Sequence, residues 1–203
     1  MTYFSYVVAR DFGFAPNPFN GFCTLATCKP PIRQYAQVGD WVLGSGSKMF
    51  QRENSLIFAM KVTEKMSFDE YWNSQRFQTK KPVMNGSLKK MYGDNIYHKV
   101  DGNWVQADSH HSLVDGLPNE INISRDTSVN AVLISDYFFY FGKSSFPIPE
   151  TLLPHVVKSG PGYRHVDEIW GEILINNIVQ AIPFGYQDDP IQFTHFERYP
   201  GAI

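Results

Sequence analysis

The run from Ala131 to Gly142 constrains this chain most, because Val132, Leu133, Ile134, Tyr137, Phe138, Phe139, Tyr140 and Phe141 are nearly all strand-forming residues. A bend near Ser135-Asp136 is expected to split it. Three further apolar runs read as strands: Tyr3 to Ala9, Trp41 to Leu43 after the Gly39-Asp40 turn, and Leu56 to Val62. With 203 residues and 43% hydrophobic content the chain can close one core of ordinary size. Aromatic residues make up 15%, including 16 Phe and 11 Tyr, which suits pleated surfaces and pockets for flat ligands. The expectation is a strand-rich, single-domain α/β (α+β) fold, its core at about 1–145 and a C-terminal helix and tail at about 146–203.

Between the strands the signals are shorter. The prolines and glycines of 13–21 mark a loop, and Cys23 to Lys29 reads as one helical turn stopped by Pro30-Pro31. Gly44-Ser45-Gly46-Ser47 reads as a turn. Ser67 followed by Glu70 resembles a capping box and predicts a helix over Phe68 to Ser74. The stretch 75–130 is polar and turn-rich, an insert long enough to carry function. Val166 to Ala181 has helical spacing, and the aromatic tail from Pro183 reads as loosely docked or as a partner surface.

Several function classes are disfavoured. A formal net charge of -2 does not suit bulk coating of duplex DNA, although a local basic patch is compatible with it. No run has the apolar length of a membrane span and the N-terminus has no signal-peptide pattern, so a cytoplasmic protein is expected. Cys23 and Cys28 have no second pair to complete a tetrahedral metal site, and both read as buried thiols. P-loop, G-x-G-x-x-G, H-E-x-x-H and G-x-S-x-G patterns are missing, and nothing names a cofactor.

Two constellations carry chemistry. The first is Asp108-Ser109-His110-His111-Ser112, with His98 and Asp94 before it and Asp115 and Asp126 after it. Histidine beside carboxylate can run acid/base steps near neutral pH, and the same residues can simply satisfy loop backbone. Neighbouring histidines on extended chain point to opposite faces, so only one of His110 and His111 is expected in any pocket. The second is the segment 23–33 followed by Trp41, where Thr24, Lys29 and Arg33 offer donors for an anion or a heteroaromatic ring. Tyr97 and Trp104 are candidate stacking platforms.

The words A-R-D-F-G-F-A-P-N-P-F-N-G-F-C-T-L-A-T-C-K-P-P-I-R from Ala9, V-G-D-W-V from Val38, F-A-M-K-V-T-E from Phe58, Y-G-D-N-I-Y-H from Tyr92 and S-H-H-S from Ser109 resemble the nucleotide modification associated domain 2 family, from the N-terminus to about Gly142. That resemblance implies a role beside DNA-base-modification systems of phages and bacteria and transfers no catalytic residues. The element order around Gly39-Asp40 is also similar to PUA-like domains such as EVE and ASCH, which implies a small curved sheet or barrel with a pocket for a modified base.

Three functions follow as expectations. A module binding a nucleotide or modified nucleobase, free or within nucleic acid, would use Trp41, Trp104 and Tyr97 for stacking and Thr24, Lys29 and Arg33 for polar contacts. A hydrolase or transferase would use His110 or His111 with Asp108 and His98. An interaction subunit of a defence or modification complex would dock a protein partner through its aromatic tail.

Overall fold

The chain begins with β1 (Tyr3–Val7), crosses a long loop to β2 (Cys23–Leu25) and α1 (Pro30–Tyr35), and continues through β3 (Trp41–Ser45), β4 (Ser55–Lys61), β5 (Glu64–Met66) and α2 (Phe68–Asn73). Next come α3 (Leu88–Met91), the hairpin strands β6 (Tyr97–Val100) and β7 (Asn103–Gln106), and α4 (Glu120–Thr127). β8 (Val132–Ser135), β9 (Tyr137–Tyr140), β10 (Phe146–Pro147), α5 (Leu153–Val156), β11 (Arg164–Val166), α6 (Glu168–Ala181) and β12 (Gly185–Tyr186) complete the order. These elements come from a computed structural model that describes residues 1–201.

Seven strands form the main sheet in the order β11-β1-β3-β4-β9-β12, with β10 paired to β4. β1 and β3 run parallel, as do β9 and β12, and the other pairs are antiparallel. β2-β8-β5 make a second sheet and β6-β7 a third. The strand-rich α/β expectation holds. The main sheet is open, with β11 and β12 at its edges, so the barrel form of that expectation does not.

The period-2 alternation of the strands sends side chains to two cores. Tyr3, Trp41, Leu43, Ala59 and Phe139 pack on one face beneath Val156 of α5 and Leu174 and Ile178 of α6. Phe4, Tyr6, Val42, Met60, Phe138 and Tyr140 pack on the other against Ile32 of α1 and Cys23, Leu25 and Leu133 of the second sheet. Each large side chain buried this way contributes about 1.5–3 kcal/mol. A third core gathers Phe12, Phe14, Phe68, Tyr71, Tyr92 and Tyr97.

The long aromatic run divides where the serine-aspartate bend predicts. The Ser135 hydroxyl donates to the Tyr137 carbonyl at 2.8 Å, and the two halves enter different sheets. The capping box is present, with the Ser67 side chain accepting from the Glu70 N–H and the Glu70 carboxylate from the Ser67 N–H.

Other local expectations are corrected. Residues 23–29 begin as strand, and Pro30-Pro31 start α1 instead of stopping a helix, because proline is pre-organised for a first helical turn. Gly44-Ser45 lies inside β3, where a Cβ on Gly44 would sit 2.1 Å from the Phe58 ring. The polar insert is structured by α3, the β6-β7 hairpin and α4. The tail is firmly docked: Gln192 N–H donates to the Asp11 carbonyl at 2.9 Å, Tyr199 N–H to the His110 carbonyl at 2.7 Å, and the Asn119 amide to the Pro200 carbonyl at 3.0 Å. No helix among the described residues is long and apolar enough to cross a membrane.

Candidate functional site

A cavity of about 490 Å³ opens where β1 ends, bounded by 6–10, Phe12, Phe14, Ala15, Cys28, Lys29, His110, His111, Arg125 and Tyr199. That volume is within the range of small-ligand pockets. Its walls come from the chain leaving β1, the left-handed corner before α1, the histidine pair, α4 and the C-terminal tail. Tyr6, Phe12, Phe14 and Tyr199 supply rings, Arg10, Lys29 and Arg125 supply positive charge, and among the described residues no carboxylate lines it. Lys29 Nζ lies 4.7 Å from the centre of the Tyr6 ring, and the Arg10 and Arg125 guanidinium carbons lie 5.2 and 5.3 Å from that of Tyr199. The cations are therefore held against aromatic faces at the cavity wall.

The corner is built by strained backbone and one buried arginine. Cys28 and Lys29 have φ of 57° and 41°, in the left-handed region that ordinary side chains disfavour. Arg33, fully buried, reaches back from α1: Nε donates to the Cys28 carbonyl at 2.9 Å, Nη1 to the carbonyls of Val129 and Ala131 at 2.9 and 2.7 Å, and Nη2 to that of Asp126 at 2.5 Å. These bonds tie the corner to the end of α4 and the start of β8.

Behind the wall lies Asp126, wholly buried. One carboxylate oxygen accepts from the Cys28 N–H at 3.1 Å and from Arg125 Nε at 3.3 Å. The other accepts from His111 Nδ1 at 2.7 Å and from the Tyr97 hydroxyl at 3.0 Å. Burial alone would raise the Asp126 pKa, but the positive charge and hydrogen bond of His111, with Arg125 and Arg33, bring it down to about 2. Burial likewise opposes the charged form of His111, and the charge and hydrogen bond of Asp126, with the nearby Cys28 side chain acting in the same direction, lift it to about 9. Near neutral pH this is an imidazolium paired with a carboxylate, placed beside a thiol.

His110 behaves oppositely. Burial and the neighbouring His111 charge lower it to about 3, so its ring is neutral. Its Nδ1 lies 2.6 Å from the Glu197 carbonyl, which can only accept, so that nitrogen carries the proton. Both histidines face this cavity, where extended geometry predicts only one. They sit in a turn, not a strand, and both pack on Phe14, at 5.0 and 4.7 Å between ring centres.

Of the residues singled out from sequence, Lys29, His110 and His111 line the cavity. Arg33 is not among its walls, because its donors are occupied by main-chain carbonyls. Trp41 is buried in the core under α6, edge-on to Tyr137 at 5.9 Å. Thr24 is buried and donates to Asp94 at 2.6 Å. Asp108 pairs with Arg198 at 2.7 Å, His98 stacks on Trp72 at 3.9 Å, and Trp104 packs on Phe68. Tyr97 acts behind the wall through its bond to Asp126. The proposed set of His110 or His111 with Asp108 and His98 is thus not assembled around this cavity.

Sequence reasoning missed Arg10 and Tyr199 as wall residues, and took Cys28 for a buried thiol when it is only partly buried; Cys23 is buried. The available signal was Cys28-Lys29 immediately before Pro30-Pro31, a forced strand-to-helix corner. Among the described residues no group of His, Cys, Asp and Glu is arranged to hold a metal ion.

A model of the family described as nucleotide modification associated domain 2 matches residues 1–197 of the 203-residue chain. The chain belongs to that family. No curated protein and no solved structure matches it.

Proposed function

From the premise that the chain belongs to the nucleotide modification associated domain 2 family, we propose that it binds a nucleotide or modified nucleobase derivative, as an anion, in the cavity at the end of β1. The observation that carries this reading is the wall composition: Arg10, Lys29 and Arg125 among Tyr6, Phe12, Phe14 and Tyr199, with no carboxylate among the described residues, in a chain of net charge -2. Positive charge concentrated in one concavity attracts phosphate, while aromatic faces stack on a base. The association with nucleotide modification in the family's description supports the same class of ligand. A single nucleotide fits this cavity better than a duplex, since the cations gather at one site and the overall balance is acidic. Such a ligand would be met in the cytoplasm. The reading as a docking subunit is less favoured, because the tail's aromatics Phe193 and Phe196 pack on the third core.

Thermal unfolding of the intact protein with nucleoside monophosphates, the matching nucleosides and inorganic phosphate tests the proposal. A nucleotide at one hundred times its Kd should stabilise the fold by about 2.7 kcal/mol, with smaller shifts for phosphate or nucleoside alone. Equal melting temperatures across a broad panel of ordinary and modified nucleotides would overturn it.

A further inference from the structure

We propose that Cys28 is a nucleophile, with His111 as its proton carrier and Asp126 as the group that positions both, and that together they act on the ligand bound in the cavity. The inference deepens the nucleotide-binding reading and rests on it. It adds an activity, and it assigns that activity to a residue set different from the histidine and carboxylate groups that the sequence pattern brings to mind.

The geometry carries it. Cys28 and His111 both line the cavity, and a single buried carboxylate holds the two together: one Asp126 oxygen takes the backbone N–H of Cys28 at 3.1 Å, the other takes His111 Nδ1–H at 2.7 Å. The Cys28 side chain and the His111 imidazole thus share one stretch of cavity wall in front of the same carboxylate, in the order thiol, imidazole, carboxylate. A nucleophile beside a base that is itself oriented by a third group is the arrangement of covalent catalysis on many unrelated folds. Orientation is enforced from behind as well. Tyr97 donates to the same Asp126 oxygen as His111, and Arg33 holds the Cys28 carbonyl at 2.9 Å. The left-handed backbone of Cys28 is the kind of strained corner that gathers at working sites. The other cysteine offers a contrast within the same protein, because Cys23 is fully buried with Met60 Sδ 3.9 Å from its sulfur and lines no part of the cavity.

The chemistry balances with water as the co-reactant. In the reactive state Cys28 has given its proton to solvent and stands as a thiolate beside the imidazolium that Asp126 maintains at His111. The thiolate attacks an acyl or imidoyl carbon of the bound compound, the C–S bond forms, and the bond to the leaving group breaks with its electron pair. The leaving group takes the proton of the imidazole nitrogen not bound to Asp126. Water then attacks the same carbon and gives a proton to the neutral His111, and the C–S electron pair returns to sulfur. The substrate class is an anionic nucleotide whose base carries such a carbon with a nitrogen or oxygen leaving group, and the net reaction is hydrolysis. Arg10, Lys29 and Arg125 hold the anionic part while the thiol meets the base.

Two experiments on the intact protein test this. The first measures alkylation of Cys28 and Cys23 by iodoacetamide and by iodoacetate, read by peptide mass spectrometry, with glutathione at the same pH as reference. Cys28 should react about tenfold or more faster than glutathione, anionic iodoacetate should gain relative to iodoacetamide, and Cys23 should stay silent until the protein is unfolded. A folded His111→Gln protein should lose about tenfold or more of the Cys28 rate; if that variant does not fold, the comparison with glutathione decides alone. The second adds p-nitrophenyl acetate and looks for a nitrophenolate burst of about one per chain, with an acetyl group on Cys28. A Cys28 rate at or below that of glutathione, an unchanged rate in folded His111→Gln, or no burst overturns the proposal. Nucleotide melting shifts with a slow Cys28 would sink the nucleophile alone, and a fast Cys28 without melting shifts would sink the nucleotide as ligand.

Discussion

Asp94 and Asp126 are both wholly buried, yet burial leads to opposite outcomes at the two sites. At Asp94 it wins, and the pKa rises to about 6 against the weaker pull of Lys80 and the hydroxyls of Thr24 and Tyr71. At Asp126 it loses, because His111, Arg125 and Arg33 press positive charge on the carboxylate. Lys80 is a partner to Asp94 only at a distance: its Nζ donates to the Asn17 carbonyl at 2.9 Å, Asn17 Oδ1 at 2.7 Å and the Phe22 carbonyl at 2.7 Å. The Lys80 cluster thus fastens the loop 17–22 to the middle of the chain. The Asp126 cluster backs a cavity. The difference teaches that burial and a shifted pKa do not identify a working site; a charged partner in contact and an opening toward a ligand do.

The largest expected effect breaks the comparison at the carboxylates themselves. Asp126→Ala leaves a buried imidazole, the Cys28 N–H and the Tyr97 hydroxyl without their acceptor, and should cost about 3–5 kcal/mol in urea denaturation. Asp94→Ala removes partners of Thr24 and Tyr71 and should cost about 1–3 kcal/mol. Equal costs would mean that the ion pair adds nothing over neutral hydrogen bonds.

A smaller effect separates function from fastening. Arg10→Ala should weaken nucleotide binding about tenfold, about 1.4 kcal/mol, in calorimetric titration while moving stability little, since Arg10 is exposed at the cavity wall. Lys80→Met should lower stability and leave the affinity of the folded protein as it was. The reverse pattern would shift the ligand site to the Lys80 cluster.

The most gradual effect is a pH slope, at most about 1.4 kcal/mol per pH unit for each proton. His111 is raised from 6.5 to about 9, so its contribution is complete below pH 6.5 and is lost as pH rises through 9. Lys80 is lowered by burial from 10.5 to about 8, so the folded state sheds that proton first and gains stability between pH 8 and 10.5. The two clusters oppose each other on the alkaline side. Melting temperatures from pH 6.5 to 10 should therefore fall more steeply above pH 8 in Lys80→Met than in the parent. Parallel curves would show that Lys80 carries no such shift.

How much of this was legible in the sequence follows the range of each signal. The strands at Tyr3, Trp41, Leu56 and Val132, the capping box at Ser67 and the split at Ser135 are written in side-chain type and spacing over a few residues, and the fold class follows from them. The family resemblance was equally readable, since whole words such as those from Ala9 and Tyr92 carry it. Lys29, His110 and His111 could be picked out as polar groups in suggestive company, but their neighbours could not. Arg33 and Trp41 looked like ligand contacts because a cation and an indole near a turn look alike whether they face a cavity or a core. Only tertiary structure decided that Arg33 would spend its donors on the carbonyls of 126–131, that Tyr199 would return from the tail to the cavity wall, and that Asp126, 98 residues after Cys28, would hold it beside His111. The physical reason is distance along the chain. Local pattern sets which backbone shape each segment adopts, whereas a site is made of contacts between segments whose meeting depends on how every buried face is covered at once.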